Sequence, residues 1–308
     1  MSNQQIKTFF FGTHDFAVTI LQGLIDSPLI EVVLVITRPD KPVGRKKKLQ
    51  KSPVKIFAEQ HNLPIDQPAS LKTHELDADD YQLGITAQYG ALIPKHILET
   101  PKYGILNVHT SLLPKYRGAS PIQSALMNGE TETGVTIMKM DVGLDTGSIL
   151  LQKSIEIAPD DTYLDLDRKL AEIGSETLLE AIPTYTSGKL EPADQDDSKA
   201  TTCKQLSRED GKIDWNQSAQ KIYNQYRGMT PWPGVWTMWN DRRLKLLKIK
   251  PAEKQIEAGK VLIEDGTMYI GCSHDSIEVL ELQLEGKKVM DVKTFVKGYH
   301  HVDKNILI

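Results

Sequence analysis

The first half of the chain alternates short apolar runs with segments of helical periodicity. The runs IKTFFFGT and EVVLVIT are rich in Phe, Val and Ile, as β-strands are. Between them, DFAVTILQGLIDS places Phe16, Ile20, Leu21 and Leu24 at helical spacing, and Asp15 is expected to cap the start of the helix. Strand, helix and strand within about 30 residues form a βαβ unit. Such a unit predicts a parallel sheet covered by helices on both faces.

The same alternation continues to residue 190. The segments VKIFAEQHN, PKHILET, SPIQSALMNG and TYLDLDRKLAEIGSETLLEAIPTY are predicted helices, and QLGITA, GILNVH, GVTIMKM and SILLQKSIEI are predicted strands. We therefore expect an α/β domain over residues 1–190, with a Rossmann-like, open and parallel-rich sheet.

The remainder of the chain has a different pattern. Residues 191–206 are polar and acid-rich without periodicity, which predicts a linker. A helix is predicted at SAQKIYNQYRGM, and short strands are predicted at RLKLLKI, GKVLIED, TMYIGC, SIEVLELQL and KKVMDVKTFV. We expect these strands to form a small OB-like β-barrel domain over residues 207–308.

Composition argues against several classes of protein. A formal net charge of −4 gives no overall attraction to polyanions. The two cysteines, Cys203 and Cys272, show neither a CxxC pattern nor a nearby His at ligand spacing, so reduced thiols are expected and a metal site is not. No segment approaches the ~20 apolar residues that span a bilayer, and no signal-peptide pattern is present. We expect a cytoplasmic protein without a membrane partner, and nothing in the sequence requires more than a monomer.

The first predicted turn argues against a dinucleotide. FFFGTHDFA contains one glycine, Gly12, where the pyrophosphate-binding fingerprint has three. The chain also lacks a GxxxxGK[ST] segment. NAD and ATP are therefore not expected as ligands.

Polar side chains gather where the strand GILNVH ends. Asn107 and His109 are two residues apart, so both side chains leave the same face, about 7 Å apart along the strand. Open α/β sheets bind ligands at the carboxyl ends of their strands. A third polar group, Asp145, lies in the turn DVGLDTG between Gly143 and Gly147, which let the backbone bring the carboxylate close to another group. We expect Asn107, His109 and Asp145 to meet at this rim of the sheet.

These three side chains suit acyl transfer to an amine without a covalent enzyme intermediate. A carboxylate that accepts from one imidazole nitrogen fixes the tautomer and leaves the other nitrogen for proton transfer. An amide N–H can stabilise the oxyanion of a tetrahedral intermediate by about 3 kcal/mol. Ser111 has no G-x-S-x-G setting that would expose it as a nucleophile. Each residue alone also fits a structural role, as a turn former or a buried polar group, and only their convergence favours catalysis.

Residues 37–55 form a local basic segment. They contain eight Lys and Arg residues against Asp40 alone, a net charge of +7. A run of this kind is commonly a solvated loop, but it can also bind phosphates. Residues 205–308 contain 16 Lys and Arg and 14 Asp and Glu, a net charge of +2. A faintly basic barrel is compatible with contacts to an RNA backbone and equally with a structural appendage.

Two long motifs carry a family resemblance. NVHTSLLPKYRGASPI followed by GVTIMKMDVGLDTG resembles the signature of the folate-dependent formyltransferases. FFFGTHDFA, AQYGALIPKHIL and RGMTPWPGVWT extend the resemblance along essentially the whole chain, toward the branch that formylates aminoacylated initiator tRNA. The departures are small: His14 stands where the family usually has proline, and KYRG replaces the commoner RWRG.

The resemblance implies an activity, a co-substrate and a set of site residues. It implies transfer of the formyl group of 10-formyltetrahydrofolate, without a metal, to the α-amino group of methionine on initiator tRNA for translation initiation. By this likeness Asn107, His109 and Asp145 are catalytic. The implied folate-binding residues are Ser111, Leu112, Leu113 and Pro114, with the backbone of Gln88, Tyr89, Gly90, Ala91, Leu92 and Ile93. The implied tRNA-binding residues are Arg45, Lys46, Lys47, Lys48 and Lys51, with a contribution from the C-terminal barrel.

Two other functions remain open at this point. The same catalytic core would permit N-formylation of an amino sugar on a nucleotide, but a nucleotide sugar does not need a segment of charge +7. A non-catalytic RNA-binding protein on the same scaffold is the second alternative, and the intact Asn107, His109 and Asp145 argue against it.

Overall fold

A computed structural model describes residues 5–43, 48–77, 80–299, 301–304 and 306–308. The chain divides into two compact units. The first unit comprises residues 1–118, 132–156 and 167–202, and the second comprises residues 119–131, 157–166 and 203–308. The second unit thus includes two segments that lie within the predicted 1–190 domain.

The helices and strands up to residue 203 follow the predicted alternation closely. The strands are β1 (Ile6–Gly12), β2 (Ile30–Ile36), β3 (Lys41–Val43), β4 (Lys48–Gln50), β5 (Ile65–Asp66), β6 (Leu83–Ala87), β7 (Ile105–His109), β8 (Arg117–Gly118), β9 (Glu132–Lys139), β10 (Ile149–Glu156) and β11 (Thr202–Cys203). The helices are α1 (Asp15–Asp26), α2 (Pro53–Gln60), α3 (Lys95–Leu98), α4 (Pro121–Asn128) and α5 (Tyr163–Thr186).

The first unit contains a seven-stranded sheet of order β10-β9-β7-β6-β1-β2-β5. Strands β7, β6, β1, β2 and β5 pair in parallel, whereas β9 is antiparallel to β7 and to β10. The predicted α/β class with a parallel-rich sheet is therefore confirmed. The strand that carries Asn107 and His109 is central, with β6 on one side and β9 on the other.

Consecutive phenylalanines form the centre of this sheet. Phe9, Phe10 and Phe11 on β1 are fully buried, since a strand with helices on both faces buries both sets of side chains. Phe16, Ile20, Leu21 and Leu24 form the buried face of α1, as their spacing predicts. The expected cap is wrong by one residue: His14 is the N-cap and makes no side-chain hydrogen bond. Asp15 is the first helical residue, where its charge still favours the helix dipole.

The second unit has its own sheet and core. After residue 203 the strands are β12 (Val235–Trp239), β13 (Arg242–Ala252), β14 (Val261–Glu264), β15 (Thr267–Gly271), β16 (Ser276–Leu284) and β17 (Met290–Asp291), and the helices are α6 (Ala219–Met229) and α7 (Val292–Gly298). The antiparallel order is β12-β13-β16-β15-β14, with β17 beside β16. The predicted antiparallel C-terminal domain is therefore confirmed.

One predicted strand of this unit is wrong. KKVMDVKTFV forms only the two-residue strand β17 before it continues as helix α7. The Asp291 carboxylate accepts from the Thr294 N–H at 2.8 Å and caps the helix. Val292 and Phe295, three residues apart, are then both buried on one helical face. The three-residue spacing of Val292 and Phe295 is helical, and the cap at Asp291 starts the helix there.

No helix in the described ranges is long and apolar enough to cross a membrane.

Candidate active site

The carboxyl ends of β6 and β7 lie side by side in the sheet. Parallel pairing places Thr86 opposite Asn107, so β6 and β7 end at the same rim, at Ala87 and His109. His109 is the last residue of β7 and is 6% exposed, whereas Asn107 is half-buried. On the other side of β7, Thr136 of β9 lies opposite His109.

His109 is held between a carbonyl group and a carboxylate. Its Nε2 lies 3.0 Å from the carbonyl oxygen of Tyr116, which can only accept, so Nε2 carries the proton of this hydrogen bond. Its Nδ1 lies 3.7 Å from Oδ2 of Asp145, an electrostatic contact beyond hydrogen-bond distance. The carbonyl oxygen of Tyr116 therefore sets the tautomer of the imidazole, whereas the sequence analysis expected the Asp145 carboxylate to set it.

The turn that carries Asp145 is tightly constrained. Asp145 has a φ of +54°, a left-handed conformation, and Oδ2 accepts from the Gly118 N–H at 2.7 Å. Asp141 accepts from the Gly143 N–H and the Thr146 hydroxyl, at 2.9 and 2.7 Å. A Cβ at Gly147 would lie 1.9 Å from the carbonyl oxygen of Lys139, so only glycine fits there. These contacts direct the carboxylate toward the imidazole.

A buried hydroxyl group supports the segment that follows His109. The Thr136 hydroxyl donates to the carbonyl oxygen of Ser111 at 2.7 Å and accepts from the Leu113 N–H at 3.1 Å. Gln152 donates to the same hydroxyl at 2.7 Å and to the Leu113 carbonyl oxygen at 2.9 Å. The Ser111 hydroxyl donates to the Lys115 carbonyl oxygen at 2.6 Å. The segment Ser111–Pro114 therefore has a fixed backbone, with Ser111 and Leu113 buried.

The segment Gln88–Ile93 after β6 is partly buried and partly open. Tyr89 packs against Phe11 with ring centroids 4.9 Å apart, and burial raises the pKa of the Tyr89 hydroxyl. Ile93 is also buried, whereas Leu92 is 84% exposed. Gly90 has a φ of +76°, and no atom lies within 4 Å of the position that a Cβ would take. A ligand at this segment would meet backbone and the exposed side chains.

The basic segment includes a β-hairpin that the sequence did not predict. Strands β3 and β4 pair antiparallel. Of the expected tRNA-binding residues, Arg45, Lys46 and Lys47 lie outside the described residues, and Lys48 is the first residue of β4. Lys51 forms an ion pair with Glu59 at 2.7 Å.

Several residues around the site carried no local sequence signal. Thr136 and Gln152 lie on strands whose polar positions looked unremarkable. Gln195 and Thr201 belong to the predicted linker, yet both form hydrogen bonds close to Asp145 and His109. The basic pair in KYRG was noted only as a variation, although its Arg117 is buried and hydrogen-bonded to Gln195.

The described residues contain no group of three or more His, Cys, Asp or Glu side chains that could hold a metal ion. A surface cavity of about 340 Å³ in the second unit lies between α4 and α6, with Met127, Lys212, Lys221 and Gln225 among its lining residues. It contains none of the predicted site residues, and the rim of the first sheet remains the candidate active site.

Two family models match this chain. The family described as formyl transferase matches residues 4–182, and the formyl transferase C-terminal domain matches residues 205–300. The chain therefore belongs to the formyltransferase family, and it is a formyl-transferring enzyme.

Individual relatives narrow this assignment. The chain is 43% identical over 300 residues to a methionyl-tRNA formyltransferase of Caldicellulosiruptor saccharolyticus, with 94% of this chain and 96% of the relative covered. It is 41% identical over 299 residues to that of Geobacter metallireducens, with 95% and 96% covered. Within its family the chain thus belongs with the methionyl-tRNA formyltransferases.

A solved structure shares the fold at lower identity. The N-formyltransferase of Helicobacter canadensis, solved with folinic acid and dTDP-3-aminofucose, is similar with a TM-score of 0.68 and 21% identity. The similarity covers 89% of this chain and 99% of that chain.

Proposed function

We propose that this chain transfers the formyl group of 10-formyltetrahydrofolate to the α-amino group of methionine on initiator tRNA. The observation that carries the chemistry is the pairing of His109 with Asp145 beside Asn107 at one rim of the sheet. The near full-length similarity to methionyl-tRNA formyltransferases supports the choice of acceptor.

Asn107, His109 and Asp145 are the catalytic residues of this proposal. The amine attacks the formyl carbon directly, so a tetrahedral intermediate forms without a covalent bond to the enzyme. This intermediate collapses when the bond between the formyl carbon and N10 breaks, and tetrahydrofolate leaves after N10 takes up a proton. Because Nε2 of His109 already donates to Tyr116, Nδ1 is the nitrogen that takes up the proton released by the amine. Asp145, 3.7 Å from Nδ1, stabilises the resulting imidazolium. The Asn107 amide donates to the oxyanion, which contributes about 3 kcal/mol in comparable sites.

The segments that follow β6 and β7 fit the folate co-substrate. When bound, 10-formyltetrahydrofolate supplies the activated formyl group. We assign its binding to Ser111–Pro114 on one side and to Gln88–Ile93 on the other. Since the side chains of Ser111, Leu113, Tyr89 and Ile93 are buried, these residues contribute backbone groups. The open space at Gly90 supports a close approach of the ligand to the main chain.

We assign tRNA binding to the basic segment, with Arg45 to Lys48 as the main phosphate contacts and Lys51 as a weaker one, and to the second unit. Within this segment Lys55 is paired with Asp40 at 2.9 Å and Lys51 with Glu59 at 2.7 Å. The charge that remains available to RNA therefore lies mainly in residues 41–48 of the sequence. Phosphate binding of this kind depends on salt and is independent of base sequence. We further propose that the protein acts in the cytoplasm as a monomer. Within the described part of the chain neither Cys203 nor Cys272 forms a disulfide bond, and both are buried.

The amino-sugar alternative is not favoured. The solved sugar N-formyltransferase is 21% identical and shares the fold, whereas the relatives at 41–43% identity are methionyl-tRNA formyltransferases. A common catalytic core explains why both classes share one fold, because function lies in the site built on it.

One assay separates the two acceptors. The purified protein is incubated with 10-formyltetrahydrofolate and either methionyl initiator tRNA or dTDP-3-aminofucose, and N-formylated product is quantified. We expect formylation of the tRNA and none of the sugar. His109→Ala serves as the control for contaminating activity: it should abolish turnover and retain folate binding, because the imidazole moves a proton and is not assigned to folate binding.

Two results would contradict the proposal. Turnover of the amino sugar without turnover of the tRNA would reassign the acceptor. Wild-type rates in His109→Ala would remove this residue from the chemistry.

A further inference from the structure

A closed ring of hydrogen bonds surrounds the turn that carries Asp145. The Nε2 of Gln195 donates to the carbonyl oxygens of Asp145 and Gly147, at 2.8 and 2.7 Å. The Oε1 of Gln195 accepts from Nε and Nη2 of Arg117, at 3.0 and 2.8 Å. The next residue, Gly118, donates its N–H to Oδ2 of Asp145 at 2.7 Å. The ring therefore begins and ends on Asp145.

The segment that carries Gln195 also supports Tyr116, the residue that orients His109. The Tyr116 N–H donates to the Thr201 hydroxyl at 2.8 Å, and the Arg117 N–H donates to the Thr201 carbonyl oxygen at 2.8 Å. The carbonyl oxygen of Tyr116 is the acceptor for Nε2 of His109. Residues 195–201 thus contact both loops that face the imidazole.

A glutamine side chain is suited to this position. Its amide offers two N–H donors and an oxygen with two lone pairs, and Gln195 uses all four in the ring. Arg117 is held on its other side by Asp197 at 2.7 Å. The ring also holds Asp145 in its left-handed conformation, which is strained for a non-glycine residue.

The segment around Gln195 is itself fixed by local hydrogen bonds. Asp196 caps the short 3-10 helix Asp197–Lys199 by accepting from Ser198. The hydrogen bond from the Ser198 hydroxyl is the main reason that the pKa of Asp196 is lowered to about 2. Gln195 therefore extends from an anchored turn.

We infer that Gln195 is a positioning residue that holds the Asp145 carboxylate against His109, and that Gln195 and Thr201 serve catalysis from a segment that also connects two parts of the chain. This inference rests on the proposed catalytic roles of Asp145 and His109. Gln195 acts through Asp145 and is not expected to touch either substrate.

The first test measures kcat and KM separately for the variant Gln195→Ala. A misplacement of a catalytic group by about 1 Å can cost about a hundredfold in rate, so we expect kcat to fall by roughly tenfold to a hundredfold. KM for folate and for tRNA should stay nearly unchanged, which is the pattern of an interaction that matters in the transition state. Lys199→Ala is the matched control, because Lys199 lies in the same segment, is exposed and, among the described residues, pairs with Asp196 alone.

The second test is a double-mutant cycle with Asp145→Asn. If Gln195 acts through Asp145, adding Gln195→Ala to Asp145→Asn should lower kcat by less than about twofold. A general structural role would instead give the full loss in both backgrounds. Gln195→Glu provides a second variant should Gln195→Ala fail to fold: it keeps the acceptor for Arg117 and lacks the N–H donors, so the same loss is expected.

The outcomes distinguish this inference from the proposed function. Wild-type kcat in Asp145→Asn would overturn the proposed catalytic roles. An essential Asp145 together with wild-type kcat in both Gln195 variants would overturn the positioning role alone. Additive losses in the cycle would do the same.

Discussion

At the scale of single residues, one hydroxyl group organises the loop after His109. Thr136 is fully buried opposite His109, and its hydroxyl donates to Ser111 and accepts from Leu113 and Gln152. These are the three hydrogen bonds that a hydroxyl can make. Loss of the oxygen would leave the Ser111 carbonyl oxygen and the Leu113 N–H without this partner. The stiffness of the SLLP segment thus depends on a residue 23 positions from Leu113.

We expect Thr136→Val to destabilise the protein by about 1–3 kcal/mol, the typical cost of unsatisfied buried polar groups at constant side-chain shape. Urea unfolding measures the difference. Thr133→Val is the control on the same strand, since Thr133 is buried and its hydroxyl makes no hydrogen bond within the described part of the chain. Equal stability of the two variants would show that the Thr136 hydroxyl does not hold the loop.

At the scale of elements, ion pairs neutralise two lysines of the basic segment that follow the hairpin. Asp40 accepts from Lys55 at 2.9 Å and from Gln67 at 2.9 Å, and the hydrogen bond from Gln67, followed by that from Lys55, lowers the pKa of Asp40. Lys51 is paired with Glu59, and Thr37 is hydrogen-bonded to Ser52 at 2.8 Å. Lys51 and Lys55 are therefore paired with carboxylates. The sequence alone counted the charges of both lysines as available to phosphate.

This division predicts unequal effects of two single substitutions. Arg45→Ala should reduce the slope of log Kobs against log salt for tRNA binding by about one, the effect of one lost phosphate contact. Lys51→Ala should change the slope much less, because Glu59 already neutralises Lys51. Binding is measured by filter retention across a series of salt concentrations. An identical slope for Arg45→Ala and the wild type would mean that this part of the segment does not meet phosphate.

At the scale of the whole molecule, the second unit is completed by the last residues of the sequence. Leu307 donates its N–H to Gly259 at 2.9 Å, and Ile308 accepts from the Met238 N–H at 2.7 Å. Residues 307 and 308 thereby connect β12 with the segment before β14. The Leu307 side chain is 1% exposed in the core of this unit.

We expect Leu307→Ala to lower the free energy of unfolding of the second unit by about 2–5 kcal/mol, the usual cost of a large-to-small core substitution. All four tryptophans, Trp215, Trp232, Trp236 and Trp239, belong to this unit, so their fluorescence monitors its unfolding. Ile306→Ala is the control, because Ile306 is 55% exposed and surface substitutions usually change stability by less than about 0.5 kcal/mol. A wild-type unfolding midpoint for Leu307→Ala would contradict this role.

Much of the fold follows from local patterns. Alternation of apolar runs with helical spacing predicts β1, α1 and β2, since side-chain direction repeats every 2 or 3.6 residues within one element. The strand predicted at KKVMDVKTFV was wrong because Val292 and Phe295, three residues apart, have helical spacing, and Asp291 caps a helix at this point. The hairpin β3–β4 was missed because a basic run flanked by prolines has no apolar alternation.

Local sequence patterns identify the groups that could do the chemistry: Asn107 and His109 on one strand face, and Asp145 in a turn between two glycines. How these groups are held follows from contacts in the folded chain, through Tyr116 on the imidazole and through Gln195, 50 residues from Asp145. Periodicity and turn composition are properties of neighbouring residues, so they can be deduced locally. A hydrogen bond between distant segments exists only once the chain has folded, because its two partners leave no common pattern in the sequence.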